Sequence, residues 1–130
     1  MKKLITILIL PIISFLSINC DHLLVSTHYV TIYNDDFDKY ITCVYVRDYY
    51  NYGGRWSKNQ LRDYLYPGES ESVLLNEGRY DFKIIMEDDY YSYTIYEEDV
   101  AVYSNITLYI SYYKMTDAQK SKVIITPKNK

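Results

Sequence analysis

Trp56-Ser57-Lys58-Asn59-Gln60-Leu61, Tyr66-Pro67-Gly68-Glu69-Ser70 and Gly78-Arg79-Tyr80-Asp81-Phe82-Lys83-Ile84-Ile85 carry most of the architectural information in this 130-residue chain. Pro67 presets its own φ and Gly68 accepts the positive φ that follows, so Tyr66-Pro67-Gly68 reads as a turn. Glu69 to Leu75 then reads as a strand, and Asn76-Glu77-Gly78 turns it back. Arg79 to Glu87 returns with Tyr80, Phe82, Ile84 and Met86 on one face. Trp56 to Tyr64 has no period of two. Trp56, Gln60 and Leu61 suit one face of a short helical turn with Ser57 as its cap, and Trp56 is expected to bury its ring against the end of the domain.

The same alternation extends outward on both sides. Upstream, Thr27 to Tyr33 and Tyr40 to Arg47 read as strands, separated by Asn34-Asp35-Asp36-Phe37-Asp38. A loop rich in Tyr, Asn and Gly follows, from Asp48 to Arg55. Downstream, Asp88-Asp89 turns into a strand from Tyr90 to Tyr96, and Glu97-Glu98-Asp99 turns into a short Val100–Tyr103 piece. Asn105 to Tyr113 is the last clear strand, with Ile106, Leu108, Ile110 and Tyr112 facing inward, and Val123 to Ile125 suits an edge strand or a loose end. About seven short strands with turn chemistry between them predict an all-β fold, a single antiparallel β-sandwich. Composition agrees: there are 18 Tyr, the first at Tyr29, but only two Ala, so strand formers abound and the best helix former is scarce. An AT-rich genome supplies Tyr freely, so its abundance alone is no sign of a binding role.

The N-terminus reads as an address. Met1-Lys2-Lys3 is a short positive segment, and Leu4 to Leu16 is apolar apart from Thr6, Pro11 and Ser14. That run is short for a bilayer span and sits where a secretory signal sits. Ser17-Ile18-Asn19-Cys20 resembles a bacterial lipoprotein lipobox in relaxed form, with Ser17 and Asn19 departing from the usual Leu and small residue. The resemblance implies a signal peptide over residues 1–19, acylation at Cys20 and a lipid anchor in a membrane of the cell envelope. The domain would lie on the extracytoplasmic side. Residues 20–26 would be the lipidated Cys and a short linker, 27–113 the sandwich domain, and 114–130 a basic tail.

With Cys20 acylated, Cys43 stands alone, so no internal disulfide forms and Cys43 is expected to be a buried, inert thiol. From Asp21 to Tyr113 the chain carries 16 acids and 7 bases, a net of −9, while Lys114 to Lys130 carries 5 Lys against 1 Asp. An acidic domain repels phosphate backbones, which argues against nucleic acid as a partner.

The opening stretch also resembles a group of small bacterial envelope domains, through Trp56, Leu61, Pro67-Gly68-Glu69-Ser70 and Gly78-Arg79-Tyr80-Asp81-Phe82-Lys83. The Gly-x-Tyr-x-hydrophobic opening is similar to transthyretin-like and immunoglobulin-like sandwiches. This resemblance implies a fold and no activity.

Site chemistry is sparse. Three acidic turns, at Asp35-Asp36-Asp38, Glu87-Asp88-Asp89 and Glu97-Glu98-Asp99, would need to converge to give calcium its six to eight oxygens, and none has an EF-hand pattern. Solvated hairpin tips are the simpler reading, and no metal or cofactor is assigned. His22 and His28 lie beside the anchor, and no motif fixes a pair of carboxylates or a nucleophile, so no catalytic residue is assigned. The expected role is a non-catalytic binding or structural module with a protein or glycan partner. Its candidate contact residues are Tyr49, Tyr50, Tyr52, Arg55 and Trp56, together with tyrosines on an outer sheet face. The alternative is an inhibitor or regulatory lipoprotein that blocks an envelope-directed enzyme with the Tyr49–Arg55 loop.

Overall fold

The computed structural model describes residues 25–51 and 53–129. Among the described residues, strands β1 (Thr27–Asn34), β2 (Tyr40–Asp48), β3 (Ser70–Asn76), β4 (Gly78–Glu87), β5 (Tyr91–Val102), β6 (Ile106–Ile110) and β7 (Ile124–Pro127) form two sheets, and a short helix, α1 (Asp117–Lys120), precedes β7. One sheet has the order β3-β1-β6 and the other β2-β4-β5-β7. Their buried side chains form one cluster. Val30, Ile32 and Ile110 come from the first sheet, and Val44, Phe82, Ile84, Met86 and Ile95 from the second. The molecule is therefore all-β, as the alternation predicted, and Gly68 takes the expected positive φ of 85° in its turn. The exception to antiparallel pairing is β1–β6, which is parallel. Parallel neighbours need a long connection, and here β2 to β5 all lie between the two strands.

Two bulges set the faces of the four-stranded sheet. The β2–β4 register shifts between Ile41 and Cys43. Ile41 and Thr42 are both buried, and Val44 and Val46 follow Ile41 into the core. Cys43 is thereby carried to the outer face and is half-buried with a free thiol, which corrects its expected burial. The second shift lies in the β4–β5 pairing, where Tyr80 and Phe82 face Val100 and Glu97. Opposite it, Asp99 adopts a φ of 55° and donates its N–H to the Asp81 carboxylate at 3.0 Å. Glu97-Glu98-Asp99 is consequently a bulge within one 12-residue strand, and the two expected pieces join as β5.

Trp56 to Tyr64 contains no helical turn. Its residues run beside β2 and cover that strand's edge. Ser57 N–H donates to Val46 O at 2.9 Å and Gln60 N–H to Val44 O at 2.8 Å. In return Ser57 Oγ accepts from Val46 N–H and Asn59 Oδ1 from Val44 N–H, each at 2.9 Å. Short polar side chains compete well for backbone groups, and here they replace a missing strand. Asn34, fully buried at the end of β1, ties the loops together: its amide nitrogen donates to Lys39 O and Leu65 O, both at 2.8 Å.

The last strand of the first sheet ends at Ile110, earlier than expected, and Tyr112 packs on Tyr93 with ring centroids 4.8 Å apart. The chain beyond Tyr113 returns to the domain. Met115 and Val123 pack against the core, and β7 pairs antiparallel with β5.

Candidate functional site

Cross-strand register assembles a cluster on the outer face of the four-stranded sheet. Arg47 of β2 is paired with Asp81 of β4, and Lys83 of β4 has Tyr45 on one side and Tyr96 of β5 on the other. Alternation turns these side chains away from the core. Arg47 Nε donates to Asp81 Oδ2 at 3.1 Å, and Asp81 is buried beneath it. The segment bonded along β2 then lays Trp56 across this surface. The Arg47 guanidinium lies 4.3 Å and Lys83 Nζ 5.1 Å from the indole centroid. Lys83 Nζ is also 4.8 Å from the Tyr45 ring, and the Trp56 and Tyr96 rings are 6.1 Å apart. Trp56 is thus half-buried outside the sheet, which corrects the expectation that it packs at the domain's end. The cations raise the electrostatic potential over an otherwise acidic domain, and the rings supply flat, amphipathic contact area.

The loop beside the cluster is partly organised. Asp48 Oδ1 accepts from Tyr50 N–H at 2.8 Å, Tyr49 N–H donates to Arg79 O at 3.0 Å, and Gly54 N–H donates to Asn51 O at 2.7 Å. Tyr49 and Tyr50 meet edge to face at 5.5 Å, and Tyr50, at 77%, is the most exposed large hydrophobic side chain among the described residues. Arg55 is exposed next to Trp56. Tyr52 and Cys20 lie outside the described residues. The structure therefore places Trp56 at the centre of the cluster and Tyr49 and Tyr50 in the adjoining loop. Arg47, Lys83 and Tyr45 were missed in the sequence, and Tyr96 was not separated from the other strand tyrosines, because only the strand register brings them together.

The other tyrosines divide into separate groups. Tyr40 stacks with Tyr64 at 5.7 Å, while Tyr93 faces the core and donates its hydroxyl to Asp88 Oδ2 at 2.7 Å. On the three-stranded sheet, Tyr29, Thr31 and Tyr33 of β1 point outward, opposite Leu74, Ser72 and Ser70 of β3. Thr107 and Tyr109 of β6 continue the rows, and the Tyr33 and Tyr109 rings are 5.5 Å apart.

Several carboxylates of the acidic turns are spent internally. Asp35 pairs with Lys114 at 2.7 Å, Glu87 with Lys128 at 3.3 Å, and Asp99 with Arg79. Burial by itself raises the Asp36 carboxyl, but the N–H groups of Tyr113 and Asp38, with Lys39 nearby, bring it below its ordinary value. Asp88 is likewise raised by burial and, on balance, lowered by the Tyr93 hydroxyl and the N–H groups of Tyr90 and Tyr91. Glu97 differs: burial pushes its carboxyl up. It lines an open groove of about 400 Å³ between β5 and the returning chain, with Ile95, Met115 and Val123.

Comparison of the chain with family models, with curated proteins and with solved structures finds no match. Among the described residues, no helix is long and apolar enough to cross a membrane.

Proposed function

We propose that this chain is a bacterial envelope lipoprotein, anchored through an acylated Cys20, whose β-sandwich domain works without catalysis as a binding module. Its contact surface is the Trp56 cluster with the adjoining loop. The observation that carries the binding role is the Trp56 ring, held in place by hydrogen bonds from its own segment to β2 and lying against both Arg47 and Lys83. Rigid aromatics flanked by cations offer large contact area at low entropic cost, which suits a protein surface or the face of a sugar. The anchor rests on the apolar run followed by Cys20. The transthyretin-like or immunoglobulin-like comparison rests on the Gly78-Arg79-Tyr80-Asp81-Phe82 stretch.

The inhibitor alternative draws support from the loop, where Asp48, Asn51 and Gly54 tie the chain to itself and leave Tyr50 exposed. Crosslinking in intact cells and co-purification test both versions. Wild type is expected to retain a partner that folded Trp56→Ala and Tyr50→Ala variants lose; equal recovery by all three overturns the assignment of this surface. An envelope enzyme as the recovered partner, inhibited by the purified protein, favours the second version. Cys20→Ala is expected to abolish acyl labelling, and unchanged labelling overturns the anchor.

A further inference from the structure

We propose that the outer face of the three-stranded sheet rests on the lipid surface that holds the anchor, so that the Trp56 cluster faces away from the membrane. The inference builds on acylation of Cys20. From Cys20 to Val25, where the described chain begins, there are only five residue steps. At no more than about 3.6 Å per residue, that tether spans at most about 18 Å. A domain of about 100 residues has a radius of gyration of about 13 Å, so this one stays close enough to the bilayer for one of its faces to meet it. The question is which surface meets it.

Charge separates the two sheet faces. No outward side chain in the paired rows of β1, β3 and β6 is charged; they are Tyr, Thr, Ser, Leu and, at the tethered end, Asn76. The opposite face carries Arg47, Asp81 and Lys83. Bringing charges onto a bilayer costs desolvation, and carboxylates are also repelled by anionic headgroups. An uncharged face avoids both costs. It also presents apolar area of the kind an interface accepts: Tyr29, Leu74 and Tyr109 are 53%, 54% and 67% exposed. Tyrosine, with an apolar ring and a hydroxyl tip, partitions to the headgroup level.

The rows begin where the chain enters from the anchor, with Thr27 opposite Asn76, and end at Tyr33 and Tyr109. Just past that far end, Phe37 and Tyr113 form an edge-on pair with centroids 4.9 Å apart, and Phe37 is 66% exposed. The neighbouring Lys114 is exposed as well and neutralises Asp35 at 2.7 Å, so the ring pair stands beside a compensated charge. With lipid at one end and amphipathic rings along the face, the domain has two attachments to the surface, and the second fixes an orientation that the lipid anchor alone would leave open.

The test uses the full acylated protein in vesicles of phosphatidylethanolamine and phosphatidylglycerol. Single spin labels are placed at Ser72→Cys, Thr107→Cys and Thr94→Cys in a Cys43→Ser background. Mass spectrometry first establishes acylation of Cys20. Collision with oxygen, relative to a water-soluble nickel reagent, is expected to be severalfold higher at positions 72 and 107 than at 94. Unacylated Cys20 overturns the anchor and this inference with it. An acylated protein with equal ratios at all three positions overturns only this inference. Spin–spin broadening between labels at position 107 would show a second copy on the face and overturn it too.

Discussion

Trp56 contributes more than area because both faces of its chemistry are occupied. Its ring is the partner for the charges of Arg47 and Lys83, while Asp81 neutralises one of them from below. A cation–π contact contributes about 0.5–2 kcal/mol depending on desolvation. Trp56→Ala is therefore expected to lower unfolding free energy by about 1–2 kcal/mol in urea titrations, with Trp56→Phe recovering part of it. Buried Asn34 acts through polar satisfaction. Asn34→Ala removes the side-chain donor to the Lys39 carbonyl, one of the two donors to the Leu65 carbonyl (Ile41 N–H remains) and the acceptor for Asp36 N–H, and a loss of about 2–3 kcal/mol is expected by the same measurement. The carboxylates set a pH dependence with opposing signs. Asp36 and Asp88 sit below their ordinary value of 3.8, so their stabilisation is complete above it and is lost as pH falls through their folded values. Glu97 sits above its ordinary value of 4.5, so its ionisation opposes folding; that cost is absent below 4.5 and complete above its raised value. Glu97→Gln is expected to raise the urea midpoint at pH 7 and to leave it nearly unchanged at pH 3.5.

At the scale of elements, the distinctive feature is the segment that stands in for a strand beside β2. Ser57 and Asn59 accept backbone protons of Val46 and Val44 through side-chain oxygens. This closes an edge that would otherwise recruit another chain, and it also positions Trp56. Asn59→Ala removes the acceptor for Val44 N–H and for Leu61 N–H. Amide exchange at Val44 is expected to accelerate by at least about tenfold, corresponding to about 1.4 kcal/mol. Val46, still bonded to Ser57, serves as the protected control. At the opposite edge, the Asp99 bulge lets β5 bend without ending, because the Asp81 carboxylate holds the Asp99 N–H that the ladder drops.

At the scale of the molecule, the chain places unlike surfaces on its two sheets: an uncharged, hydroxyl-rich face and a face of paired charges around one indole. Under the proposed acylation at Cys20, that difference would decide which way the domain faces above a membrane. The C-terminal return contributes to closure of the second sheet. β7 covers the Tyr91–Thr94 portion of β5, and Lys128 bridges Tyr40 and Glu87. Removing residues 124–130 is expected to cost about 1–2 kcal/mol and to expose a β5 edge, promoting self-association measurable by sedimentation velocity.

The local sequence already determined the class of fold. Turn chemistry at Pro67-Gly68 and alternation through Tyr80, Phe82 and Ile84 depend on neighbours only a few residues away, as do most of the strand positions. The face each strand presents was decided later. One extra residue near Thr42 and another beside Asp81 shift the register, and a shift of one residue exchanges inside for outside. Thus Cys43 left the core, Glu97-Glu98-Asp99 became a bulge, and Arg47 met Asp81 across 34 positions of sequence. Trp56 was legible as an anchor. That it anchors two cations on an outer face was settled only by tertiary structure, because pairing between distant strands has no local signature.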